Sequence, residues 1–286
     1  MSIPSGPVHA LDTHPIYQNA RHTLQGLFTG EADAERAAAR LADQKGKLVI
    51  AYTLTAPDGS TLYAVAAREP VVRQRRANIP HDRTVPWQAV RIALDAFRSA
   101  ERETRASGAP LRWYKKLEVD KLRRVLLGYD WSGSKLDVAS RMMSTTILTH
   151  PFPNANHRTS ITLAKYYLAS EGVQWPPYSL RGRGIDRFIA ETEPHIVLSK
   201  YLIQLRRRQP LLCVARAAGY TDIVIKQGFN AKIDAADLEL STEDIEKKHQ
   251  ARCRALIEKI DDGKNADELG REGTRGLREF VAWYFG

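Results

Sequence analysis

His150-Pro151-Phe152-Pro153-Asn154-Ala155-Asn156-His157-Arg158 is the stretch on which the fold turns. Its two prolines cannot continue a helix, so one helix must end near His150 and a loop must follow. The same residues gather imidazole, carboxamide and guanidinium groups. If a second helix opens behind the loop, its first turn presents unpaired N–H groups and the positive end of the macrodipole, a natural seat for an anion. A histidine beside that seat can take a proton from an incoming hydroxyl. The combination implies phosphate chemistry carried out on a hydroxyl group.

Both helices are legible outward from the loop. Upstream, Leu136, Ala139, Met143 and Ile147 recur at helical spacing, with Ser132 or Ser134 available as the N-cap. Downstream, Ile161, Ala164, Tyr167 and Leu168 mark the apolar stripe of the second helix, and Gly172 can end it. The unit reads as helix, tight loop, helix, with the polar residues concentrated in the loop.

The loop resembles the signature of Fic/Doc (Fido) proteins, H-P-F-x-[D/E]-[G/A]-N-[G/K]-R, and matches six of its nine positions. The resemblance covers the motif and its two flanking helices, not the ends of the chain. It implies an enzyme that transfers AMP from ATP to a hydroxyl of a target protein. In Doc-type members the target is instead phosphorylated, with the nucleotide reversed. Residue by residue, the resemblance implies His150 as general base and Phe152 as the buried anchor of the loop. Ala155 and Asn156 would form the anion hole, the Asn156 amide facing the phosphates, and Arg158 would pair with phosphate through its planar fork. ATP, Mg²⁺, a protein substrate and an antitoxin-like partner are implied with them.

Two positions depart from the nine-residue signature and a third from its longer form. Asn154 stands where the family has an acidic residue that helps hold Mg²⁺; a neutral carboxamide offers a hard cation one carbonyl oxygen and no charge, so metal affinity should fall. His157 replaces Gly or Lys, and its ring either obstructs the AMP-transfer pose or, protonated, contacts phosphate as a lysine would. Ile161 replaces the second arginine of the longer signature and removes one phosphate contact. A site that binds nucleotide without turnover is therefore a second reading. The inhibitory [S/T]-x-x-x-E-[G/N] helix of some relatives is missing, since Glu171-Gly172 and Glu272-Gly273 are preceded by Tyr167 and Glu268 where Ser or Thr is required. Each motif residue also has an ordinary role: capping or packing for His150, turn or N-cap for Asn154 and Asn156, an intrachain ion pair for Arg158.

The rest of the chain frames that site. At 286 residues it can bury a substantial core in one large domain or two smaller ones. Two cysteines, Cys213 and Cys253, give neither a disulfide framework nor zinc spacing, and His150 and His157 flank a proline-broken loop unsuited to a shared metal. With no long apolar run and no signal-peptide pattern at the N-terminus, a cytoplasmic protein without a membrane partner is expected. The net charge of +10 favours acidic partners, nucleic acid among them, with basic clusters at Arg73–Arg76, Lys121–Arg124 and Arg206–Arg208. P-loop, G-x-G-x-x-G, H-E-x-x-H and nucleophile-elbow patterns do not occur.

Outside the motif, residues 1–30 read as irregular and Glu31–Gln44 as a short helix. Leu48–Leu54 and Thr61–Ala67, around Pro57-Asp58-Gly59-Ser60, read as a β-hairpin, either structural or placed to align a target segment by strand addition. Helices follow at Trp87–Ala106, Lys116–Leu127 and Ile185–Arg207. Cys213–Phe229 reads as helix, glycine turn, helix, either a plain helical hairpin or a helix-turn-helix with Ala215, Ile223 and Ile225 inside and Lys226 and Gln227 as base readers. A polar helix over Thr242–Ile260 and an aromatic end at Phe280, Trp283, Tyr284 and Phe285, docked on the core, complete the chain. The expectation is a mainly α protein: residues 1–84 with the small hairpin, a Fic/Doc-like helical core over 85–209, and a helical C-terminal extension over 210–286. A DNA-binding regulator on the same scaffold is the alternative of a different class.

Overall fold

A computed structural model describes residues 23–44, 48–68, 80–106, 111, 113, 115–180, 182–226 and 229–286. In chain order the first elements are β1 (Thr23–Phe28), α1 (Glu31–Ala42), β2 (Leu48–Thr55), β3 (Thr61–Arg68), α2 (Val85–Ala106), α3 (Val119–Leu127), α4 (Lys135–Thr149) and α5 (Asn156–Ser170). They are followed by α6 (Arg183–Ala217), β4 (Asp222–Lys226), β5 (Phe229–Lys232), α7 (Thr242–Asp261), α8 (Ala266–Gly270) and α9 (Leu277–Phe285). The fold is mainly helical, with a small antiparallel sheet near the N-terminus, as the sequence predicts. Among the described residues no helix is long and apolar enough to cross a membrane.

The chain forms two compact units, Met1–Val71 with Lys200–Ile245, and Val72–Ser199 with Glu246–Gly286. These boundaries differ from the sequence division at 84/85 and 209/210, because the later part of α6 belongs to the same core as the N-terminal sheet. In that first unit the sheet order is β1-β3-β2, and Leu24, Leu27 and Leu62 share a buried cluster with Leu205, Leu212 and Ala215. The β2–β3 hairpin is the one expected: Gly59 N–H closes the turn on Ala56 O at 2.9 Å, and its φ of +83° is a conformation that suits glycine. The strand β1 lies inside a stretch read as irregular. A bulge between Leu24 and Gly26 shifts its register, so its buried residues are Leu24 and Leu27 and the two-residue alternation is broken.

The segment after α6 corrects both helical readings of 213–229. The glycine turn is there: Gly219 at φ +92° donates to Arg216 O, and Tyr220 N–H donates to Ala215 O, each at 3.1 Å. Beyond the turn the chain enters the strand β4, paired antiparallel with β5. Ile223-Val224-Ile225 is a run of β-branched residues, which favours extended backbone over a second helix. A recognition helix is therefore lacking there, and with it the basis for reading bases with Lys226; Gln227 and the cluster Arg73–Arg76 lie outside the described residues, as do residues 1–22. Ala215 is fully buried, as expected.

The second unit is built around α4 and α5. Ser134 caps α4 with a capping box, accepting from Asp137 N–H while the Asp137 carboxylate takes the Ser134 N–H. At the far end of α5, Gly172 N–H bonds Ala169 O at 3.1 Å and Val173 N–H bonds Leu168 O at 2.8 Å, a Schellman end with Gly172 at φ +79°. The predicted stripes of both helices are buried. Helices α2 and α9 pack on α5, and α3 packs on α2 and α4. Residues 268–276 strap the outer ends of the pair together. Lys135 N–H bonds Arg271 O at 2.9 Å, Gly273 N–H bonds Gly133 O at 2.9 Å, and the Glu171 carboxylate accepts from Thr274 and Arg275 N–H. Beside the strap, Trp131, Tyr167 and Phe280 form an aromatic cluster with centroids 5.8–6.3 Å apart. Of the aromatic end, Phe280 docks and Tyr284 meets Tyr166, whereas Trp283 and Phe285 are exposed.

Candidate functional site

The loop between α4 and α5 begins and ends in left-handed backbone. His150 is the C-cap of α4 with φ 54° and ψ 54°, and Ala155 is the N-cap of α5 with φ 52° and ψ 25°. Neither is glycine, and a non-glycine residue at positive φ costs of the order of 1 kcal/mol, so the surroundings must hold both in place. For His150 they do so through its own carbonyl, which accepts from the Lys115 ammonium. Glu118 N–H grips the next carbonyl, Pro151 O, at 3.1 Å. Burial pushes the Glu118 carboxyl up, but the ammonium groups of Lys115 and Lys121 outweigh it and hold that carboxyl below its usual range.

Phe152 anchors the loop as the sequence predicts. Its ring is fully buried and stacks on Phe97 at 5.3 Å, and Phe97 in turn meets Trp113 edge-on at 6.0 Å. The amide of Asn156 does something else than face phosphate. Its Oδ1 accepts from Phe152 N–H at 2.9 Å and its Nδ2 donates to Phe152 O at 3.0 Å. The side chain, 2% exposed, thus replaces the backbone partners that the turn denies to Phe152, and staples the loop shut.

Helical phase sorts the remaining residues. His157 lies on the buried face of α5 with Ile161, Ala164 and Leu168, one turn ahead of the stripe read from sequence, and is 8% exposed. The ring of His157 is therefore largely interior. Ile161 is a core residue too, so an arginine there would be buried in apolar surroundings at high cost. Arg158 is on the exposed face. The first turn of α5 has no side-chain cap, and Thr159 N–H is the group that reaches back to Ala155 O, at 2.9 Å. Helix geometry leaves the N–H groups of Asn156, His157 and Arg158 directed out of the helix end, the arrangement that anion binding at a helix start requires. Ala155 N–H is taken by Asn154 Oδ1 at 2.7 Å. That bond engages one of the two lone pairs of the oxygen through which Asn154 would hold a cation.

A second concentration of imidazole lies deeper in the same unit. His195 of α6 and His249 and Cys253 of α7 are buried together, and Ser144 Oγ of α4 sits 2.8 Å from His249 Nδ1. Burial, then the nearby Arg252, bring the His195 imidazole down to about 4, so it is neutral at physiological pH. Burial pushes the Cys253 thiol up. In sequence the only sign of this group is the i, i+4 spacing of His249 and Cys253 on a polar helix. Of the described basic clusters, Lys121 pairs with Glu118 at 3.1 Å and Arg123 lies over the Trp87 ring at 5.3 Å, so part of that charge is already engaged.

No curated protein and no solved structure matches the chain. A family model does: residues 55–284 match a family of unknown function, DUF8172, and the chain belongs to it.

Proposed function

We propose that this DUF8172 protein is a Fic/Doc-like transferase that moves AMP from ATP to a hydroxyl group of a protein target. One observation carries the reading: a histidine held at φ 54° at the end of α4, directly before an α5 start that is free of any side-chain cap and bears the exposed Arg158. Nδ1 of His150 is buried, and in this reading the proton is taken by Nε2. The target oxygen, relieved of that proton, bonds to the α-phosphorus as the bond to the bridging oxygen breaks, and pyrophosphate leaves. General-base assistance of this kind is worth about 10²–10⁴-fold in rate. Charge developing on the phosphates is met by the N–H groups of the first turn of α5 and by the Arg158 guanidinium.

Asn156 serves this site as a positioning residue, since its amide is spent on Phe152. Asn154 makes a weak Mg²⁺ ligand: the side chain is uncharged and one of the two lone pairs of its oxygen is engaged by Ala155 N–H. Neutralisation of the triphosphate therefore falls mainly to Arg158 and the helix end. A cytoplasmic setting and an antitoxin-like protein that restrains the site complete the proposal. Cys213 and Cys253, both free thiols, suit a reducing compartment.

The test is incubation of the protein with cell lysate and ATP labelled on the α or the γ phosphate, beside His150→Ala. Label passing to protein from the α position alone, and lost in the variant, is the expected result. Transfer from the γ position alone would assign a Doc-like phosphotransferase instead. Transfer that survives His150→Ala would remove the histidine from the chemistry and overturn the mechanism.

A further inference from the structure

Three groups in the interior of the second unit take no part in the loop chemistry. One ligand atom each from His195, His249 and Cys253 lies within 4.8 Å of the others, and all three residues are buried. Cys253 Sγ is 3.8 Å from His195 Nε2 and 3.7 Å from His249 Nδ1. A tetrahedral zinc ion, with Zn–N about 2.0 Å and Zn–S about 2.3 Å, sets sulfur and nitrogen about 3.6 Å apart. Both sulfur–nitrogen edges are therefore close to the lengths a bound ion demands, and the two nitrogens lie within 4.8 Å of each other.

We propose that His195 Nε2, His249 Nδ1 and Cys253 Sγ bind one Zn²⁺ as a structural site joining α6 and α7 beneath α4. The ligand set is right for that ion, since imidazole and thiolate select zinc over the hard cations that prefer oxygen. Two hydroxyls flank the ligand nitrogens. Ser199 Oγ is 3.3 Å from His195 Nε2, and Ser144 Oγ is 2.8 Å from His249 Nδ1. On loading, Ser144 gives up its bond to that nitrogen, the thiol of Cys253 loses its proton to solvent, and the zinc–sulfur bond forms; no electron is transferred. Enclosure fixes the role. His249 and Cys253 are fully buried and His195 is 7% exposed, so the site has no open face for a substrate, as structural zinc sites do not. The sequence conceals it because His195 lies far from the other two in the chain and no paired-cysteine spacing announces it.

The experiment uses the full, untagged chain, loaded with Zn²⁺ or Co²⁺ and freed of excess metal. The expected result is one ion per chain, retained by Cys213→Ser and weakened at least about 100-fold in Cys253→Ala and in His249→Gln, the upper end of what loss of a mere outer-sphere partner costs. Cobalt should show the intense visible bands of a tetrahedral ion and a thiolate-to-metal charge-transfer band. The cobalt spectrum of the unsubstituted protein decides the matter even if the buried variants fail to fold. Folded protein that retains no metal, metal lost with Cys213→Ser, or cobalt bound without the thiolate band would each overturn the site and leave the trio as hydrogen-bonded packing.

Discussion

The loop at 150–158 and the buried trio of His195, His249 and Cys253 are two ways of concentrating reactive side chains in one unit. The loop is contiguous in sequence, strained in backbone at both ends and partly open. The trio is assembled from two distant helices, sits in regular backbone and is closed. Local strain beside an exposed cation suits chemistry, while enclosure by regular helices suits stability. Substitution should therefore separate two kinds of residue, the accessible groups of the loop responding in activity and the buried groups, inside the loop or beyond it, in folding.

The largest effect should come from His150→Gly. Glycine accepts φ 54° without strain, which offsets its greater freedom when unfolded, so stability should change by less than about 1 kcal/mol. Label transfer should nevertheless fall about 10²–10⁴-fold, the worth of a general base. A thermal melt beside a transfer assay checks both halves, and equal loss of each would erase the contrast. Phe152→Ala should act the other way round, through folding, at a cost of about 3–5 kcal/mol for an emptied aromatic site, read by denaturant unfolding.

Asn156→Ala comes next. Deleting the staple leaves the N–H and C=O of Phe152 buried without a partner, at about 1–3 kcal/mol for a lost group of this kind. Because the amide positions the loop without reaching phosphate, kcat should drop more than ATP affinity; a KM rise alone would return the amide to the anion hole. The smallest effect belongs to Glu118. Its folded-state carboxyl lies below the ordinary 4.5, so its contribution is whole above that pH and is lost as pH falls through the folded value. Glu118→Gln should flatten the acid limb of the Tm–pH curve slightly, since a half-exposed ion pair is worth at most about 1 kcal/mol. An unchanged limb would show that Lys115 holds the His150 carbonyl without help.

What was legible in the sequence was what neighbours in the chain decide. Ser134, Pro151, Pro153 and Gly172 punctuate α4 and α5, and their apolar stripes fixed which faces are buried. The stripe of α5, continued one turn back, reaches His157, so its burial was available to a reading that followed phase beyond the motif. The direction of the Asn156 amide was not, because it depends on which backbone groups the turn leaves unpaired. β1 was hidden by its bulge, and β4 by a glycine turn that fits a helical hairpin as well as a helix followed by a strand. Of the trio only the i, i+4 spacing of His249 and Cys253 is visible in the chain, and His195 joins them through tertiary packing.

The strap over residues 268–276 and the docked Phe280 have a consequence for how the protein is made. A ribosome delivers α4 and α5 first, then the whole of 200–245, which belongs to the other unit, and only afterwards the strap. At about 5–20 residues per second, Trp131 and Tyr167 wait on the order of ten seconds for Phe280. During that interval the motif helices are present but unfastened, with aromatic surface uncovered. The nascent chain thus has a window in which a chaperone can bind at the outer ends of α4 and α5, while the loop at their inner ends already has the partners that hold it.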